Sequence, residues 1–373
     1  DLARIILRDF YVDDLMSGAQ TVPKAIELQT GLHQHLAGQH FEVRKWASSH
    51  PDVLKNIDPA LLEHEATFEM GNEEHTIKTL GIRWKPVGDY FFFSIGHVLP
   101  EATRAGLTKR MMLSDIAKVF DPLGWLSPAT LKLKLLMQAS WMKGLAWDAP
   151  LPADVLESFL EWRIQLPALR EVIIPRSVLL PEEEDLNAFE LHMFCDASEM
   201  AYAACIYSRA IGLNRVKVTL LCAKTKVAPL KAVSVPRLEL CAAVLGSKLL
   251  TTVVDALASL GQHPLSRHAW SDSTIVLSWL NEVPRQWNTF VQNRVSEIQQ
   301  LVPRAEWRHV GTLDNPADIG TRGLQPALLK GESKWWSGPK WLGETSLEIP
   351  IQPEHLQPCQ DERKKVPVLA FSA

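Results

Sequence analysis

Four acidic residues stand at the ends of predicted secondary-structure elements in the second half of the chain. Asp196 closes a strand in "FCDAS", and Glu239 lies in the first turns of a helix in "PRLELCAA". Asp272 closes another strand in "WSDST", and Asp318 lies in "NPADIGTRG". A carboxylate at the end of an apolar strand is costly to remove from water unless it is paired or bound to a metal. Four such groups on converging elements would repel one another, so we expect a cation between them.

The chemistry of this set follows from its ligand atoms, which are all carboxylate oxygens and suit Mg²⁺ or Mn²⁺ better than zinc. Two such ions roughly 3.5–4 Å apart can activate a water and stabilise the leaving oxygen in phosphodiester hydrolysis. Each acid also has a structural explanation. Asp196 and Asp272 could cap following helices or turns, while Glu239 could offset a helix dipole and Asp318 could be an N-terminal helix acid. For the four together, in this strand–helix order, we favour a shared site.

The elements that must position these acids follow a mixed pattern. Three β-like runs come first, "ELHMFCDAS", "AYAACIYSR" and "VKVTLLCAKTKVA". A helix follows from Pro236, with apolar residues at spacings of three and four, and proline near the first helical position is a common start signal. Strands and helices then alternate up to about residue 325. Three antiparallel strands followed by alternating helices and strands predict a mixed α/β sheet.

The motifs "FCDAS", "RLELCAA", "WSDST" and "HVGTLDNPADIGTRG" resemble, in this order, those of the ribonuclease H domain of retrotransposons, most closely of the BEL/Pao class. The resemblance implies hydrolysis of the RNA strand of RNA–DNA hybrids with two Mg²⁺ or Mn²⁺ ions. It implies a metal-binding set at Asp196, Glu239, Asp272 and Asp318. His309, nine positions before Asp318, matches a histidine that many of these domains carry. It could shuttle protons near neutral pH, although a lone histidine after a strand is as often structural.

The front of the chain resembles the same relatives. "FYVDDLMSG" resembles the reverse-transcriptase palm hairpin, which implies that Asp13 and Asp14 bind metal. "LGIRW" resembles the strand pair that holds the primer end, which implies nucleic-acid contacts at Leu80, Gly81 and Trp84. A two-metal polymerase site needs a third carboxylate, which this family carries on an earlier palm strand. We therefore expect an incomplete polymerase site and a complete ribonuclease site.

These patterns divide the chain into four parts. Residues 1–98 are predicted as a partial palm and 99–180 as a helical thumb and connection. Residues 188–325 are predicted as the ribonuclease H-like domain, and 326–373 as a tryptophan- and proline-containing linker toward an integrase region that this chain lacks. The predicted fold class is multidomain, α/β and α+β, with a mixed five-stranded sheet and helices in the ribonuclease H-like part.

Local patterns in the first half allow further expectations. "ARIILRDFYVDD" with "LMSG" is predicted as a hairpin, "FEVRKWAS" as a strand, and "IKTLGIRWKPVGDYFFFSI" as two strands around a turn. Residues 100–165 are predicted as helices broken at "DPLGWLSP". Lysines there stand among tryptophans, as at Lys109, Trp141 and Trp147. They could grip a duplex backbone and stack on bases, but a packed helical bundle with a solvated face gives the same pattern.

Composition sets weaker limits. The 373 residues are 46% hydrophobic and 22% charged with a formal net charge of −4, so the chain can bury more than one core and has no overall basic field. Five widely spaced cysteines without a CxxC pair indicate buried thiols in a reducing compartment and disfavour a structural zinc site. We find no run of about 18 apolar residues and no signal-peptide layout. We expect an intracellular location, in a cytoplasmic particle or the nucleus, and no membrane.

The sequence leads to one function and two alternatives. The leading hypothesis is a piece of a longer retrotransposon Pol polyprotein that acts on RNA–DNA hybrid and primer–template nucleic acid together with other parts of that polyprotein. The first alternative is a non-catalytic remnant that binds nucleic acid or a protein partner. The second is a regulatory subunit that completes its polymerase site with another chain. Neither DTG nor DSG occurs, which excludes aspartic-protease chemistry for these residues.

Overall fold

Two compact units make up the chain in the computed structural model, which describes residues 2–11, 14–19, 21–63, 68–69, 82–93, 106–180, 188–347, 349–350, 352–353 and 360–364. The smaller unit comprises Asp1–Ser94 with Ile173–Ser177. The larger unit comprises Ile95–Val172 with Val178–Ala373. The larger unit therefore contains the predicted helical segment, except for residues 173–177, as well as the predicted ribonuclease H-like domain.

The smaller unit has helices and short strands within its described residues. They are α1 (Leu2–Asp9), β1 (Phe10–Tyr11), β2 (Asp14–Leu15), α2 (Val22–Gly38), β3 (Phe68–Glu69), β4 (Ile82–Lys85), β5 (Tyr90–Phe93) and β6 (Ile173–Pro175). Strands β1 and β2 form an antiparallel hairpin of two residues each, and β3 to β6 form an antiparallel sheet in that order. The predicted hairpin around the paired aspartates and the predicted strand pair β4–β5 are thus both present.

Two local predictions in this unit are wrong. Residues 2–9 form α1 rather than a strand, because Leu2, Ile5 and Ile6 recur at helical spacing and Leu2 packs within 3.3 Å of the position a Cβ on Gly31 of α2 would take. "FEVRKWAS" forms no strand beyond an isolated bridge at Trp46. Its backbone leaves the extended region at Lys45, where φ is 58°.

The larger unit carries the predicted helices and the mixed sheet. Its helices and strands are α3 (Lys109–Ala117), α4 (Ser127–Met142), α5 (Ala153–Gln165), β7 (Ala188–Ala197), β8 (Ala201–Ile211), β9 (Val216–Val227), α6 (Val235–Ser259), β10 (Ser266–Ser271), α7 (Thr274–Asn281), α8 (Thr289–Leu301), β11 (Trp307–His309), α9 (Ala317–Arg322), α10 (Pro326–Leu329) and α11 (Ser333–Ser337). The sheet order is β11-β10-β7-β8-β9. Strand β10 is parallel to β7 and β11, whereas β7, β8 and β9 are antiparallel. The predicted mixed five-stranded sheet is therefore confirmed.

One face of this sheet is covered by α6, which packs against β7, β8 and α8. Alternate residues of β7, such as Met193, point into this core. Gly246 of α6 permits the close approach, because a Cβ there would lie 2.5 Å from the Met193 sulfur. By length and composition α6 could cross a membrane, a feature that the sequence analysis missed. In this structure it buries Leu240, Ala243 and Leu250, as a core helix does.

The opposite face is covered by α4, α9, α11 and the chain that follows α11. The indole nitrogen of Trp125 donates to the carbonyl of Leu220 on β9 at 3.1 Å, and that of Trp335 donates to the carbonyl of Trp125 at 2.8 Å. The Tyr207 hydroxyl on β8 donates to the carbonyl of Trp335 at 2.7 Å. Residues 326–343, which the sequence analysis placed in a linker, thus form part of this layer because Trp335 is fully buried there and Trp341 packs against Trp270 of β10.

The Lys–Trp pattern of the helical segment is explained by packing. Lys109 is buried, donates to the carbonyl of Leu145 at 3.1 Å and lies 4.8 Å from the ring centre of Trp147. Arg110 is paired with Asp148, with 2.8 Å between Nε and Oδ1. These cations already have partners within the helical layer, which favours the packed-bundle interpretation for them.

Candidate functional site

The four acids lie on elements that converge at one edge of the mixed sheet. The parallel register of β7 and β10 places Cys195 opposite Ser271, so the next residues, Asp196 and Asp272, lie at the same edge. Asp318 is the second residue of α9, which packs against β7 and β8. Glu239 lies in the second turn of α6. The structure therefore places Asp196 and Asp272 at the strand ends where the sequence predicted them.

Burial and neighbouring charges both raise the pKa of Asp196. This side chain is nearly buried, with the residue 7% exposed. Burial raises the pKa of Asp196 to about 7, against a usual value of 3.8, and the charges of Asp272 and Asp318 add to the increase. A hydrogen bond from Thr321 opposes it. With a pKa of about 7, this carboxyl group is mostly protonated below pH 7, and a bound cation would replace that proton.

Burial and neighbouring acids also raise the pKa values of Asp272 and Glu239. Burial raises the pKa of Asp272, and the charge of Asp318 raises it further, against hydrogen bonds from Thr312 and other neighbours. Burial also raises the pKa of Glu239, opposed by a hydrogen bond from Ser273, and the charge of Asp272 raises it further. Repulsion therefore links the four carboxylates, each to at least one other.

Hydrogen bonds hold three of these carboxylates. Thr321 Oγ1 lies 2.6 Å from Asp196 Oδ2, and Ser273 Oγ donates to Glu239 Oε2. Arg322 Nε donates to Asp318 Oδ1 at 2.6 Å, one helical turn along α9. Each of these three acids thus has a bonded oxygen and a defined orientation.

The loop before α9 is held by Asn315, which is fully buried. Its Nδ2 donates to the carbonyl of Cys195 at 3.0 Å, and its Oδ1 accepts from the backbone N–H of Ala317 at 3.1 Å. It also hydrogen-bonds Asp272 and lowers the pKa of that carboxyl. Sequence reasoning missed this residue and Thr321. The available signal was the motif "NPADIGTRG", in which the threonine follows Asp318 by three positions and so shares a helix face with it.

The donor set fits a hard divalent cation. All four side chains offer carboxylate oxygens, and three of them have raised pKa values caused by burial and by one another. A cation among them would offset that repulsion and allow the carboxylates to ionise. Oxygen-only ligands of this kind suit Mg²⁺ or Mn²⁺.

His309 lies at the end of the edge strand β11, opposite Ser271 in the parallel register. The side chain of Gln352 bonds its backbone on both sides: Oε1 accepts from the N–H at 2.7 Å and Nε2 donates to the carbonyl at 3.1 Å. The residue is half-buried. It stands beside the strand that carries Asp272, and its part in proton transfer stays a prediction.

The predicted polymerase residues are only partly within the described chain. Asp13, Leu80 and Gly81 lie outside the described residues. Asp14 pairs with Tyr11 in the β1–β2 hairpin and is half-buried. Trp84 lies in β4, where its indole nitrogen donates to Asp89 at 2.9 Å. Metal binding at the hairpin and nucleic-acid contact at Trp84 remain predictions.

A second group of possible metal ligands lies near the other end of β7. Single ligand atoms of Glu190, His192 and His268 lie within 4.8 Å of one another. The indole nitrogen of Trp270 donates to His192 Nδ1 at 3.2 Å, so in neutral imidazole the proton is on Nε2, which lies 3.4 Å from Glu190 Oε2. Both ring nitrogens of His192 are thus occupied, and a metal would have to break one of these bonds.

The charge of this second group is already balanced. Arg209 Nη1 donates to Glu190 Oε2 at 2.9 Å, and the arginine is buried. Burial raises the pKa of Glu190, but hydrogen bonds and charges from His192 and Arg209 lower it to about 2. Burial lowers the pKa of His192 itself, so the permanent charge of Arg209 is the main counter-charge. We interpret this group as a packed polar network, without a need for a metal.

Together, the mixed α/β architecture, the five-stranded sheet of order β11-β10-β7-β8-β9 and its layers of helices are consistent with a ribonuclease H-like fold. Residues 108–273 match the family model of the Pao retrotransposon-like RNaseH-like domain. The match begins at α3 and crosses the predicted boundary between thumb and ribonuclease H-like domain. It includes Asp196, Glu239 and Asp272 and ends before His309 and Asp318. It supports the BEL/Pao ribonuclease H resemblance and does not reach the predicted palm at residues 1–98.

Two solved structures were also compared with the chain. The N-terminal RNase H domain of rv2228c from Mycobacterium tuberculosis, a fusion with maltose binding protein, is 13% identical, with 39% of this chain and 99% of that chain covered and a TM-score of 0.26. RNase H1 from the halophilic archaeon Halobacterium salinarum is 12% identical, with 35% and 90% covered and a TM-score of 0.22. At these TM-scores neither carries a structural argument. No curated protein matches the chain.

Proposed function

We propose that the larger unit is a ribonuclease H-type nuclease that hydrolyses the RNA strand of RNA–DNA hybrids. The observation that carries the proposal is the convergence of Asp196, Glu239, Asp272 and Asp318, of which three have pKa values raised by burial and mutual repulsion. Carboxyl groups with raised pKa values at one edge of a sheet are typical of functional sites. The family match over residues 108–273 supports this reaction class.

The residues of this chain have distinct parts in the proposed reaction. The four carboxylates would hold two Mg²⁺ or Mn²⁺ ions, which when bound supply an activated water and stabilise the leaving oxygen. Thr321 and Ser273 orient Asp196 and Glu239 through hydrogen bonds. His309, at the end of the edge strand β11 and opposite Ser271, would accept or deliver a proton during turnover. Substrate recognition would use hybrid shape through backbone and 2′-OH contacts.

The proposal also covers the longer protein to which this nuclease would belong and the place in the cell where it would act. We propose that it belongs to a BEL/Pao-type Pol polyprotein whose other parts are its partners, and that it acts inside the cell, in a cytoplasmic particle or the nucleus. Residues 1–98 would be the palm end of the polymerase, with an incomplete site at Asp13 and Asp14 and primer contacts at Leu80, Gly81 and Trp84. Primer–template nucleic acid would be the ligand of that part.

The test uses the full 373-residue chain and an end-labelled RNA strand, offered in an RNA–DNA hybrid, in duplex RNA and as a single strand. We expect cleavage of the hybrid RNA with Mg²⁺ or Mn²⁺ and none with EDTA. Asp272→Asn should abolish it, whereas Asp255→Asn, at an exposed position of α6, should cleave as wild type does. Absence of hybrid cleavage with either ion, or full activity of Asp272→Asn, would overturn the proposal and favour a binding-only remnant.

A further inference from the structure

Helix α9 is seated unusually close to the sheet. A Cβ on Gly320 would lie 3.0 Å from the Cβ of Ala203 on β8, a contact tighter than side chains normally make. The carbonyl of Gly320 accepts from Thr225 Oγ1 on β9 at 3.4 Å. Just after α9, the N–H of Leu324 donates to the carbonyl of Pro128 at 3.0 Å. Glycine therefore allows α9 to approach β8, and bonds on both sides define its position.

This seating brings a buried hydroxyl to the acids. Thr321 is fully buried, and its carbonyl accepts from Ser198 Oγ at 3.1 Å. Its Oγ1 lies 2.6 Å from Asp196 Oδ2 and 3.0 Å from the carbonyl of Asp318. A threonine hydroxyl has a single proton to donate, and the shorter contact, to Asp196, is the stronger bond. One side chain thus touches both the strand that carries Asp196 and the helix turn that carries Asp318.

We propose that Thr321 is a positioning residue for cation binding: its hydroxyl holds the Asp196 carboxylate in a fixed orientation relative to Asp318, so that the two can share a divalent ion. The inference rests on the proposed function, because it assumes that these acids bind the ion. Rotation about the last torsion of an aspartate is broad unless a partner restricts it. Partners of this kind, bonded to a metal ligand, orient that ligand, and their loss typically lowers metal affinity or activity by about 10- to 100-fold.

The alternative is that Thr321 only fills space and stabilises the fold. Thr321→Val keeps the shape and removes the donor, whereas Thr321→Ser keeps the donor and removes the methyl group. Thr225→Val is the matched control, because it removes another buried hydroxyl that contacts α9 but no acid of the site. A purely structural role predicts similar effects of the valine substitutions at both positions.

The experiment measures Mn²⁺ binding to the full chain without nucleic acid, by isothermal calorimetry and by the loss of the free-ion electron paramagnetic resonance signal. Melting in EDTA checks that each variant is folded, and Thr321→Ala replaces Thr321→Val if the latter is not. We expect Thr321→Val to weaken Mn²⁺ binding by about 10- to 100-fold. Thr321→Ser and Thr225→Val should stay within about threefold of wild type, a smaller change than the lower limit of that range.

The outcomes separate this inference from the function on which it rests. If wild type binds Mn²⁺, Asp272→Asn weakens that binding and Thr321→Val does not, the positioning role is wrong and the nuclease proposal stands. Equal weakening by Thr321→Ser and Thr321→Val would also overturn it. If wild type binds no Mn²⁺, both the inference and the proposed metal-dependent function fail.

Discussion

The two ends of β7 place carboxylates in opposite electrostatic situations. Glu190 and Asp196 lie on the same face of one strand, since their positions differ by an even number. At the N-terminal end of β7, Arg209 hydrogen-bonds Glu190. Hydrogen bonds and charges outweigh the effect of burial and lower the pKa of Glu190 to about 2. At the other end burial and the charges of Asp272 and Asp318 raise the pKa of Asp196 to about 7. The first cluster is balanced within the chain, whereas in the second Arg322 bonds Asp318 and the pKa values of the other three acids remain raised.

This contrast separates a structural cluster from a functional one. Both contain buried titratable groups, and by proximity alone the Glu190 cluster looks like the better metal site. Hydrogen-bond donors and an arginine already occupy its ligand atoms. The four acids have hydroxyl, amide and arginine partners that orient them, yet their repulsion persists. The chemical state of the ligand atoms is therefore more informative than their spacing.

The largest expected effect is on catalysis. Asp196→Asn should reduce hybrid-RNA cleavage by more than the roughly 100-fold that loss of an outer partner of a metal site can cost. Glu190→Gln should leave the rate per folded molecule unchanged, because Glu190 lies at the other end of the strand. Cleavage rates of both variants, normalised to folded protein, check this. Similar losses in the two variants would remove the functional distinction between the ends.

The next effect is on stability, and its sign should differ between the two ends. Glu190→Gln leaves the buried guanidinium of Arg209 without its carboxylate, and breaking a buried pair in this way costs about 3–5 kcal/mol. Asp196→Asn removes a repelled carboxyl and should raise the melting temperature in EDTA at pH 8. Thermal melts of the two variants beside wild type test both signs. If Asp196→Asn melts at a lower temperature than wild type, repulsion among these acids does not reduce the stability of the folded protein.

A smaller effect is the pH dependence of the metal-free protein. Between pH 4 and 7 folded Asp196 keeps a proton that the unfolded chain has released, because its pKa is raised from 3.8 to about 7. The free energy of unfolding should therefore fall as pH rises, by on the order of 1 kcal/mol per pH unit, and level off above pH 7.

Denaturation in EDTA at pH 5, 6, 7 and 8 measures this slope. Asp196→Asn should flatten it. Glu190→Gln should keep it, because a pKa lowered from 4.5 to about 2 gives a stabilisation that is complete above about pH 5 and is lost only as pH falls further. An unchanged slope in Asp196→Asn would assign the pH dependence to other groups.

The smallest expected effect concerns the histidines of the Glu190 cluster. His268→Asn should leave Mn²⁺ affinity within about twofold of wild type, the scale of an ordinary substitution away from a binding site. Calorimetric titration with Mn²⁺ checks it, with Asp272→Asn as the variant that should bind weakly. A marked loss of affinity in His268→Asn would make that cluster a metal site after all.

Much of the larger unit could be predicted from its sequence. Long apolar runs identified β7, β8 and β9, and Pro236 with the apolar spacing after it identified α6, because these elements carry their own periodicity. The acids were found because each stands at the end of such an element. The short α1 was predicted as a strand although Leu2, Ile5 and Ile6 recur at helical spacing, and its contacts with α2 fit the helix. Packing of residues 326–343 on the sheet was likewise missed.

For the larger unit, the sequence by itself determined the long strands and helices and placed Asp196, Glu239, Asp272 and Asp318 at the ends of elements. Only the tertiary structure decided which carboxylates are neutralised. Glu190 meets Arg209 because the antiparallel register of β7 and β8 pairs these two residues, which are 19 positions apart in the chain. Asp196 instead pairs with Ala203 and meets the hydroxyl of Thr321 from α9. A shift of register by one residue would turn these side chains to the other face, so local sequence cannot encode the difference.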